Sequence, residues 1–203
     1  MDTKIALSAK ELELVCNADW ILTKHALIQK VYGLFGEVLL VNENFLKADK
    51  DNLPAEVFIN PPKISRGENY KLLPYVMLDY PRYFNKEDTI AIRTFFWWGN
   101  FFSVNLQLSG RFKTNAAERL HQNFEWLAQN GYYTCVNEEP WEHHFDENNF
   151  VPLNTIGKND FWAMLQRKPF IKLSKKIPLQ QWQDAPVFMV KTFEELAGLI
   201  SNH

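Results

Sequence analysis

The sequence is short of cysteine, of long apolar runs and of excess charge, and each shortage excludes a class of protein. Its two cysteines, Cys16 and Cys135, form no C-x-x-C pair, so the sequence predicts two buried, reduced thiols rather than a disulfide framework or a zinc site. No run of about 20 apolar residues predicts a membrane-spanning helix, and the amino-terminal residues lack the apolar segment of a signal peptide. We therefore expect a cytoplasmic protein with no membrane partner.

The net charge and the absence of known motifs argue against further classes of function. A net charge of −2 over 203 residues gives no basic surface for nucleic acid. The lysines of one carboxyl-terminal strand have no aromatic residues interleaved with them, which is typical of a solvated face; they are Lys168, Lys172, Lys175 and Lys176. The nucleophile-elbow, P-loop and dinucleotide-binding patterns are absent. The sequence thus predicts no nucleic-acid partner and no cofactor, and it favours a non-enzymatic protein.

Aromatic residues are abundant, at 15% of the chain, and their densest group lies in the stretch 89–110. This stretch predicts two β-strands joined at Gly99-Asn100, because glycine at the first loop position suits a type II′ turn. A two-residue loop pairs Trp97 with Phe102. One face of the hairpin is then apolar and is the expected core face; it carries Ala91, Arg93, Phe95, Trp97, Phe102, Val104, Leu106 and Leu108. A three-residue loop would change these pairs.

Arg93 does not fit this apolar face. A buried guanidinium without a partner costs several kcal/mol, so it needs a carboxylate, a path to solvent or a bound anion. Asp79, on a strand predicted over residues 75–80, is the first candidate partner. The sequence leaves two interpretations open: a structural ion pair, or an anchor for an anionic ligand.

The other face of the hairpin combines rings with amides and hydroxyls. It carries Ile92, Thr94, Phe96, Trp98, Phe101, Ser103, Asn105 and Gln107. Such a mixture suits a ligand groove, although helices that covered this face would make it part of the core. The candidate ligand-binding residues are Arg93, Arg82, Asp79, Trp97, Trp98 and Asn105.

A second candidate site lies in the acidic segment 138–147. It combines His143, His144 and Asp146 with glutamates, which are ligand types that zinc and other divalent metals bind. Adjacent histidines on a strand point to opposite faces, however, and no H-x-x-x-H spacing is present. A solvated acidic loop without a metal is therefore the main interpretation of this segment.

The order of the predicted elements gives the fold class. Ser8 and Glu11 form a capping-box pattern for a short helix that ends near Cys16. A long apolar stripe then runs from residue 18 to about 47, with a kink or break expected near Gly33 and Gly36. A surface connection over 47–68 leads to strands in the middle of the chain. A helix over 115–130, strands over 132–136 and 170–177, and a final helix from about 184 follow.

This order predicts a single α+β domain over residues 1–203. It comprises an amino-terminal helical segment over about 8–47 and a sheet-containing body over about 55–203. The sheet is mainly antiparallel, is centred on the hairpin 89–109, and packs against the amino-terminal, middle and carboxyl-terminal helices.

For function, the sequence predicts a binding protein. An aromatic cleft beside the hairpin would take a small anionic or carboxylate-bearing ligand, or a protein partner. Arg93 or Arg82 would orient the anion, and Trp97 or Trp98 would supply a stacking wall. Two alternatives remain: a metal-assisted hydrolase that uses His143, His144 and the carboxylates of the acidic segment, and a structural protein with no pocket.

Overall fold

Seven strands form one antiparallel sheet in the computed structural model of the chain, which describes residues 5–201. Residues 1–4, part of the stretch searched for a signal peptide, lie outside the described residues. The spatial order of the strands is β1-β2-β3-β4-β7-β5-β6. Their bounds are Lys63–Tyr70 (β1), Leu73–Phe84 (β2), Thr89–Trp97 (β3), Phe101–Ser109 (β4), Tyr133–Cys135 (β5), Phe150–Pro152 (β6) and Phe170–Pro178 (β7). Together with the helices, this sheet confirms the predicted α+β class.

The α-helices of the described residues are Ala9–Cys16 (α1), Ala18–Ala48 (α2), Gly110–Gln122 (α3), Phe124–Gln129 (α4), Lys158–Arg167 (α5) and Ala185–Gly198 (α6). The predicted capping box is present, because the Ser8 hydroxyl accepts from the Glu11 amide and the Glu11 carboxylate accepts from the Ser8 amide. Pro186 lies in the first turn of α6, as expected. No helix among the described residues is long and apolar enough to cross a membrane.

The predicted break in α2 is wrong, since the helix is continuous for 31 residues. Its apolar stripe includes Ile28, Val31 and Phe35, which pack without interruption into the main core. Glycine lowers helix propensity by about 1 kcal/mol but does not remove a backbone hydrogen bond, so the packing of the stripe keeps the helix intact.

Several predicted boundaries also differ from those in the structure. The connection 47–68 contains two short 3-10 helices and the start of β1, a strand that the sequence did not predict. The predicted helix 115–130 begins earlier, at Gly110, and Asn123 divides it into α3 and α4. Of the two cysteines, Cys135 is buried as expected, but Cys16 is exposed on α1. Both thiols are free.

The register of the central hairpin differs from the prediction by one residue on β4. Trp97 pairs with Phe101, and Arg93 pairs with Asn105. The loop therefore has three residues, and it is closed by a hydrogen bond from the Asn100 amide to the Trp97 carbonyl. Gly99 adopts a φ of 73°, which glycine tolerates far better than other residues. The shift moves the polar residues of β4 onto the face that carries Arg93.

The two faces of the sheet consequently have compositions that differ from the predicted ones. The core face, against which α2, α3 and α6 pack, is apolar around the hairpin except for the buried Thr94; its apolar residues are Ile90, Ile92, Phe96, Phe102, Val104, Leu106 and Leu108. The opposite face, here called the outer face, carries Arg93, Phe95, Trp97, Phe101, Ser103 and Asn105. The predicted mixed face is therefore right for the residues of β4 and wrong for those of β3, because Ile92 and Phe96 lie on the core face and Arg93 lies beside the polar residues of β4.

Candidate functional site

The outer face is covered by the acidic segment, residues 136–149, which we call the cover loop. The His143 ring stacks on Phe95 with 4.7 Å between ring centroids. Phe145 packs edge-on against Phe101 at 5.0 Å and stacks on Phe150 at 4.7 Å. Both histidines of the loop are buried, so the prediction of a solvated loop is wrong for this part of it. The rings of the loop and of the sheet form a second, smaller core.

Arg93 lies beneath the cover loop and is paired with Asp79, the partner predicted from the sequence. Its Nε donates to Asp79 Oδ1 at 2.6 Å and its Nη2 donates to Oδ2 at 3.0 Å. Nη1 lies 3.0 Å from Nε2 of His143. Because a guanidinium can only donate, Nε2 accepts this hydrogen bond and the imidazole proton resides on Nδ1. Arg93 thus connects β2, β3 and the cover loop.

Lys172, on β7, is 1% exposed and has no carboxylate among its hydrogen-bond partners. Its Nζ donates to the carbonyl oxygens of Pro140 at 3.0 Å and Glu142 at 2.6 Å. Nδ1 of His143 lies 3.3 Å away on the third side. A neutral amine satisfies all three contacts, since it donates twice and its lone pair accepts from the Nδ1 proton. A charged ammonium has no lone pair, so it could not accept a hydrogen bond from the Nδ1–H group of His143.

Burial is the main cause of the pKa shifts of both Lys172 and His143. Desolvation lowers the pKa of Lys172 to about 7, and the positive charge of Arg93 acts in the same direction. Burial lowers the pKa of His143 well below its usual value, and the charges of Lys172 and Arg93 lower it further. The outer face therefore holds a neutral imidazole between two basic side chains. The expected solvated lysine face is wrong for Lys172, and for Lys168, which is 6% exposed.

His144 points away from His143 and lies between two carboxylates. Its Nδ1 is 3.0 Å from Asp146 Oδ2, and its Nε2 is 3.4 Å from Glu142 Oε2. Glu142 also accepts a hydrogen bond from the Tyr70 hydroxyl at 2.9 Å. That hydroxyl in turn accepts from the backbone amides of residues 143 and 144, at 2.7 and 3.0 Å. Burial is the main cause that raises the pKa of Tyr70 to about 12.

The two histidines therefore do not share a site. Within residues 5–201, no group of three or more histidine, cysteine, aspartate or glutamate side chains is arranged to hold a metal ion. The His143 ring instead lies between Arg93 and Lys172, and His144 orders the cover loop through Glu142 and Asp146. The metal-assisted hydrolase stays a prediction from the sequence, with no further observation in its favour.

Of the remaining candidate residues, Asn105 and Trp97 share the outer face with Arg93, whereas Trp98 does not. Asn105 is buried and donates to the Arg93 carbonyl and to Ser103. Trp97 is 8% exposed, and its indole donates to the Tyr70 carbonyl. Trp98 packs against the main core instead of the outer face. Arg82 follows a register shift in β2 and pairs with Ala91.

An open cleft lies at the end of the outer face, next to the hairpin loop. We call it the hairpin cleft; it has a volume of about 480 Å³ and is lined by Asn100, Phe101, Gly131, Tyr133, Lys175, Lys176 and Pro178. Lys175 interacts with Glu195, with 3.5 Å between Nζ and Oε2, and its ammonium lies over the Tyr132 ring. Its charge is therefore directed toward the core-face side of β7.

Lys176 is the basic residue that faces the aromatic wall of the hairpin cleft. Its Nζ lies 4.6 Å from the ring centroid of Phe145, 5.5 Å from that of Tyr133 and 5.6 Å from that of Phe101. Partial desolvation lowers the pKa of Lys176, and the Asp146 carboxylate opposes the shift. The Asp146 side chain contacts His144 and Lys71. The cleft thus combines aromatic walls with an amine held over three rings.

The sequence does not identify Lys172 and Lys176 as site residues, because its alternation places both on a solvated face of the strand over 170–177. The sequence offers one weak signal, because Phe170 gives the strand an apolar residue on the face opposite Ile171 and Leu173; the structure shows that both faces are buried there. A strand that is buried on both faces predicts that its polar residues have partners. Those partners lie on β4 and the cover loop, which are distant in the sequence.

Comparison of the chain with family models, curated proteins and solved structures found no match. The hairpin cleft is therefore interpreted from its own geometry.

Proposed function

We propose that the protein binds a small, carboxylate-bearing aromatic compound in the hairpin cleft. The observation that carries this proposal is the position of the Lys176 ammonium, over three rings at the edge of an open cleft. Phe101 and Tyr133 supply apolar walls for a ring, and Lys176 supplies the charge for a carboxylate. The volume of the cleft, about 480 Å³, lies within the range of small-molecule sites.

The electrostatics of Lys176 favour an anionic ligand. An ammonium beside aromatic rings is partly stripped of water, so an incoming carboxylate has less solvent to displace. A hydrogen bond between the Lys176 ammonium and a carboxylate is charge-assisted, so it is stronger than a hydrogen bond between neutral groups.

Arg93, the anchor predicted from the sequence, has a smaller part in this proposal. Its guanidinium is already held by both oxygens of Asp79, and the cover loop lies over it. In this proposal Lys176 orients the anion in place of Arg93. Trp97, which is 8% exposed, contributes to the wall from beneath Phe101 through an edge contact at 5.6 Å between ring centroids.

A thermal-shift series tests the proposal. We expect benzoate and indole-3-carboxylate to raise the melting temperature of the wild-type protein in a concentration-dependent manner, because they bind only the folded chain. Benzamide, which keeps the ring but lacks the charge, is expected to give a smaller shift. Lys176→Met is expected to abolish the preference for benzoate over benzamide, and Lys176→Arg to retain it.

The control variant is Lys86→Met, which removes an exposed lysine from the connection between β2 and β3. It is expected to respond to benzoate as the wild-type protein does. The proposal is wrong if neither carboxylate shifts the wild-type protein, or if Lys176→Met keeps the full preference for benzoate.

A further inference from the structure

The side of α2 that faces away from the core exposes a regular stripe of residues. The buried positions of this helix include Ile28, Val31, Phe35 and Val38. The opposite stripe recurs at helical spacing and is made of Leu22, Ala26, Gln29, Gly33, Gly36 and Leu40; all are exposed except Gly36, which is half-buried. Leu22 and Leu40, at the two ends, are 62% and 64% exposed. Among the residues that the structure describes, no element packs on this stripe.

Within residues 5–201, close packing does not require glycine at either glycine position of the stripe. A Cβ atom built at Gly33 or at Gly36 would meet no atom within 4 Å. Each glycine lowers helix stability by about 1 kcal/mol relative to alanine. Their absence of side chains gives a second helix room for close approach along the middle of α2.

The spacing of the stripe is the same when it is read from either end. From Leu22 to Leu40 the steps alternate between four and three residues, and from Leu40 back to Leu22 they alternate in the same way. A two-fold axis places identical surfaces against each other with reversed direction. In an antiparallel pair, each Leu22 therefore meets the Leu40 of the other copy, while Gln29 meets Gly33, and the glycines form the closely packed centre.

We propose that a second copy of this chain packs antiparallel along the outer stripe of α2 and forms a two-fold dimer. The charges beside the stripe fit this occupant. Lys30 and Glu37 are exposed, lie on the same flank of the stripe and are one heptad apart. Antiparallel pairing brings each Lys30 toward the Glu37 of the other copy on that flank, so the surface is complementary to itself.

Apolar surface also lies next to the stripe, where the antiparallel pair would contact it. An open groove of about 610 Å³ lies between the carboxyl-terminal half of α2 and α6, and it is lined by Val41, Pro186, Val187, Val190, Lys191 and Glu194. The antiparallel pair brings the amino-terminal end of the other α2 to this groove. That end and α1 together carry a group of exposed large apolar side chains; they are Leu12, Leu14, Val15, Trp20, Ile21 and Leu22.

Light scattering with charge-reversal variants tests the proposal on the full chain. The wild-type protein is expected to have twice the chain mass of 23.9 kDa at micromolar concentration. Lys30→Glu and Glu37→Lys are each expected to weaken the dimer at least about tenfold, because like charges then face each other. The double variant Lys30→Glu/Glu37→Lys is expected to restore the dimer, which a misfolded protein would not do.

Mixed disulfide formation tests the register. In a Cys16→Ser background, Leu22→Cys protein mixed with Leu40→Cys protein is expected to form a covalent heterodimer under mild oxidation. Each variant alone is not expected to cross-link, since residues 22 and 40 are about 27 Å apart along a helix. A wild-type chain that stays monomeric up to its solubility limit contradicts the proposal. So does a dimer that both charge reversals leave intact and that the mixed cysteines fail to trap.

Discussion

Arg93 is the residue through which three parts of the outer face are joined. Its guanidinium makes two hydrogen bonds to Asp79 on β2 and one to His143 of the cover loop. The side chains of Arg93 and Asp79 are only 15% and 10% exposed. Removal of one member of such a pair leaves the other charge without compensation, in surroundings that solvate it poorly. We therefore expect a large loss of stability when only one member of the pair is replaced.

We predict that Asp79→Asn and Arg93→Met each lower the free energy of unfolding by about 3–5 kcal/mol. The double variant Asp79→Leu/Arg93→Leu is expected to lose less than the sum of the two, because no unpaired charge remains. Denaturant unfolding followed by circular dichroism measures all three. The matched control is Glu68→Gln, which breaks the more exposed pair with Lys24 and should cost less than about 1 kcal/mol. Equal losses at the two pairs would show that the Arg93 pair is solvent-screened.

At the scale of single residues, the sequence predicted the misfit of Arg93 and its partner but not the chemistry around them. A lone arginine among apolar residues requires compensation, and Asp79 was the nearest carboxylate on a predicted strand. His143 and Lys172 are 50 and 79 positions from Arg93 in the numbering of the chain. Their contacts depend on the path of the cover loop, and no local pattern encodes that path.

Among the elements, the central hairpin shows how register decides which residues share a face. β3 is apolar on both faces, with Ile90 and Ile92 on one and Ala91 and Phe95 on the other. Its own pattern therefore does not distinguish a two-residue from a three-residue loop. β4 does alternate, because Phe102 and the apolar residues that follow it at every second position belong together on the core face. The loop length alone decides whether Arg93 joins them.

We predict that Gly99→Ala lowers the free energy of unfolding by about 1 kcal/mol, because alanine is strained at a φ of 73°. Gly99→Asn is expected to cost less, since asparagine tolerates the left-handed region. Gly198→Ala is the control. It lies in α6 with no atom within 4 Å of the added Cβ, and it is expected to be neutral or stabilising. A neutral Gly99→Ala in chemical denaturation would contradict the observed turn.

The sequence predicts the positions of the helices more accurately than it predicts the breaks within them. The capping box of α1 and the proline at the start of α6 are local signals, and both are confirmed. The apolar stripe of α2 is buried between Ile28 and Leu46, but its first residues, among them Trp20 and Ile21, are exposed. The break expected at Gly33 and Gly36 is absent because tertiary packing of the stripe outweighs the propensity of two residues. β1 and β6 carry weak patterns and owe their pairing to neighbouring strands, so they were missed.

For the whole molecule, the buried basic groups make stability depend on pH. Lys172 has a pKa of about 7 in the folded chain, while an unfolded lysine has one of about 10.4. Between these values the unfolded chain binds one more proton, so stability rises with pH. The pKa of Tyr70, raised by burial to about 12, acts in the opposite sense above pH ~10, where only the unfolded tyrosine ionises.

We therefore predict that the free energy of unfolding increases from about pH 7 to about pH 10 and decreases above that. The contribution of Lys172 to this slope has an upper limit of about 1.4 kcal/mol per pH unit. Lys172→Met is expected to flatten the rise, whatever its effect on absolute stability, while Lys86→Met leaves it unchanged. Denaturant titrations at several pH values measure the slopes. A wild-type slope of zero, or one that Lys172→Met preserves, would show that Lys172 is charged when folded.

The proposed function depends on where a carboxylate ligand binds. Amide chemical-shift mapping by NMR, with ¹⁵N-labelled protein and benzoate, measures this location most directly. We predict that the largest shifts occur at Asn100, Phe101, Tyr133 and Lys176, and that benzamide perturbs the same residues less. Shifts that concentrate elsewhere, for example around Arg111 and Arg119 in the small pocket beside α3, would contradict the assignment of the hairpin cleft.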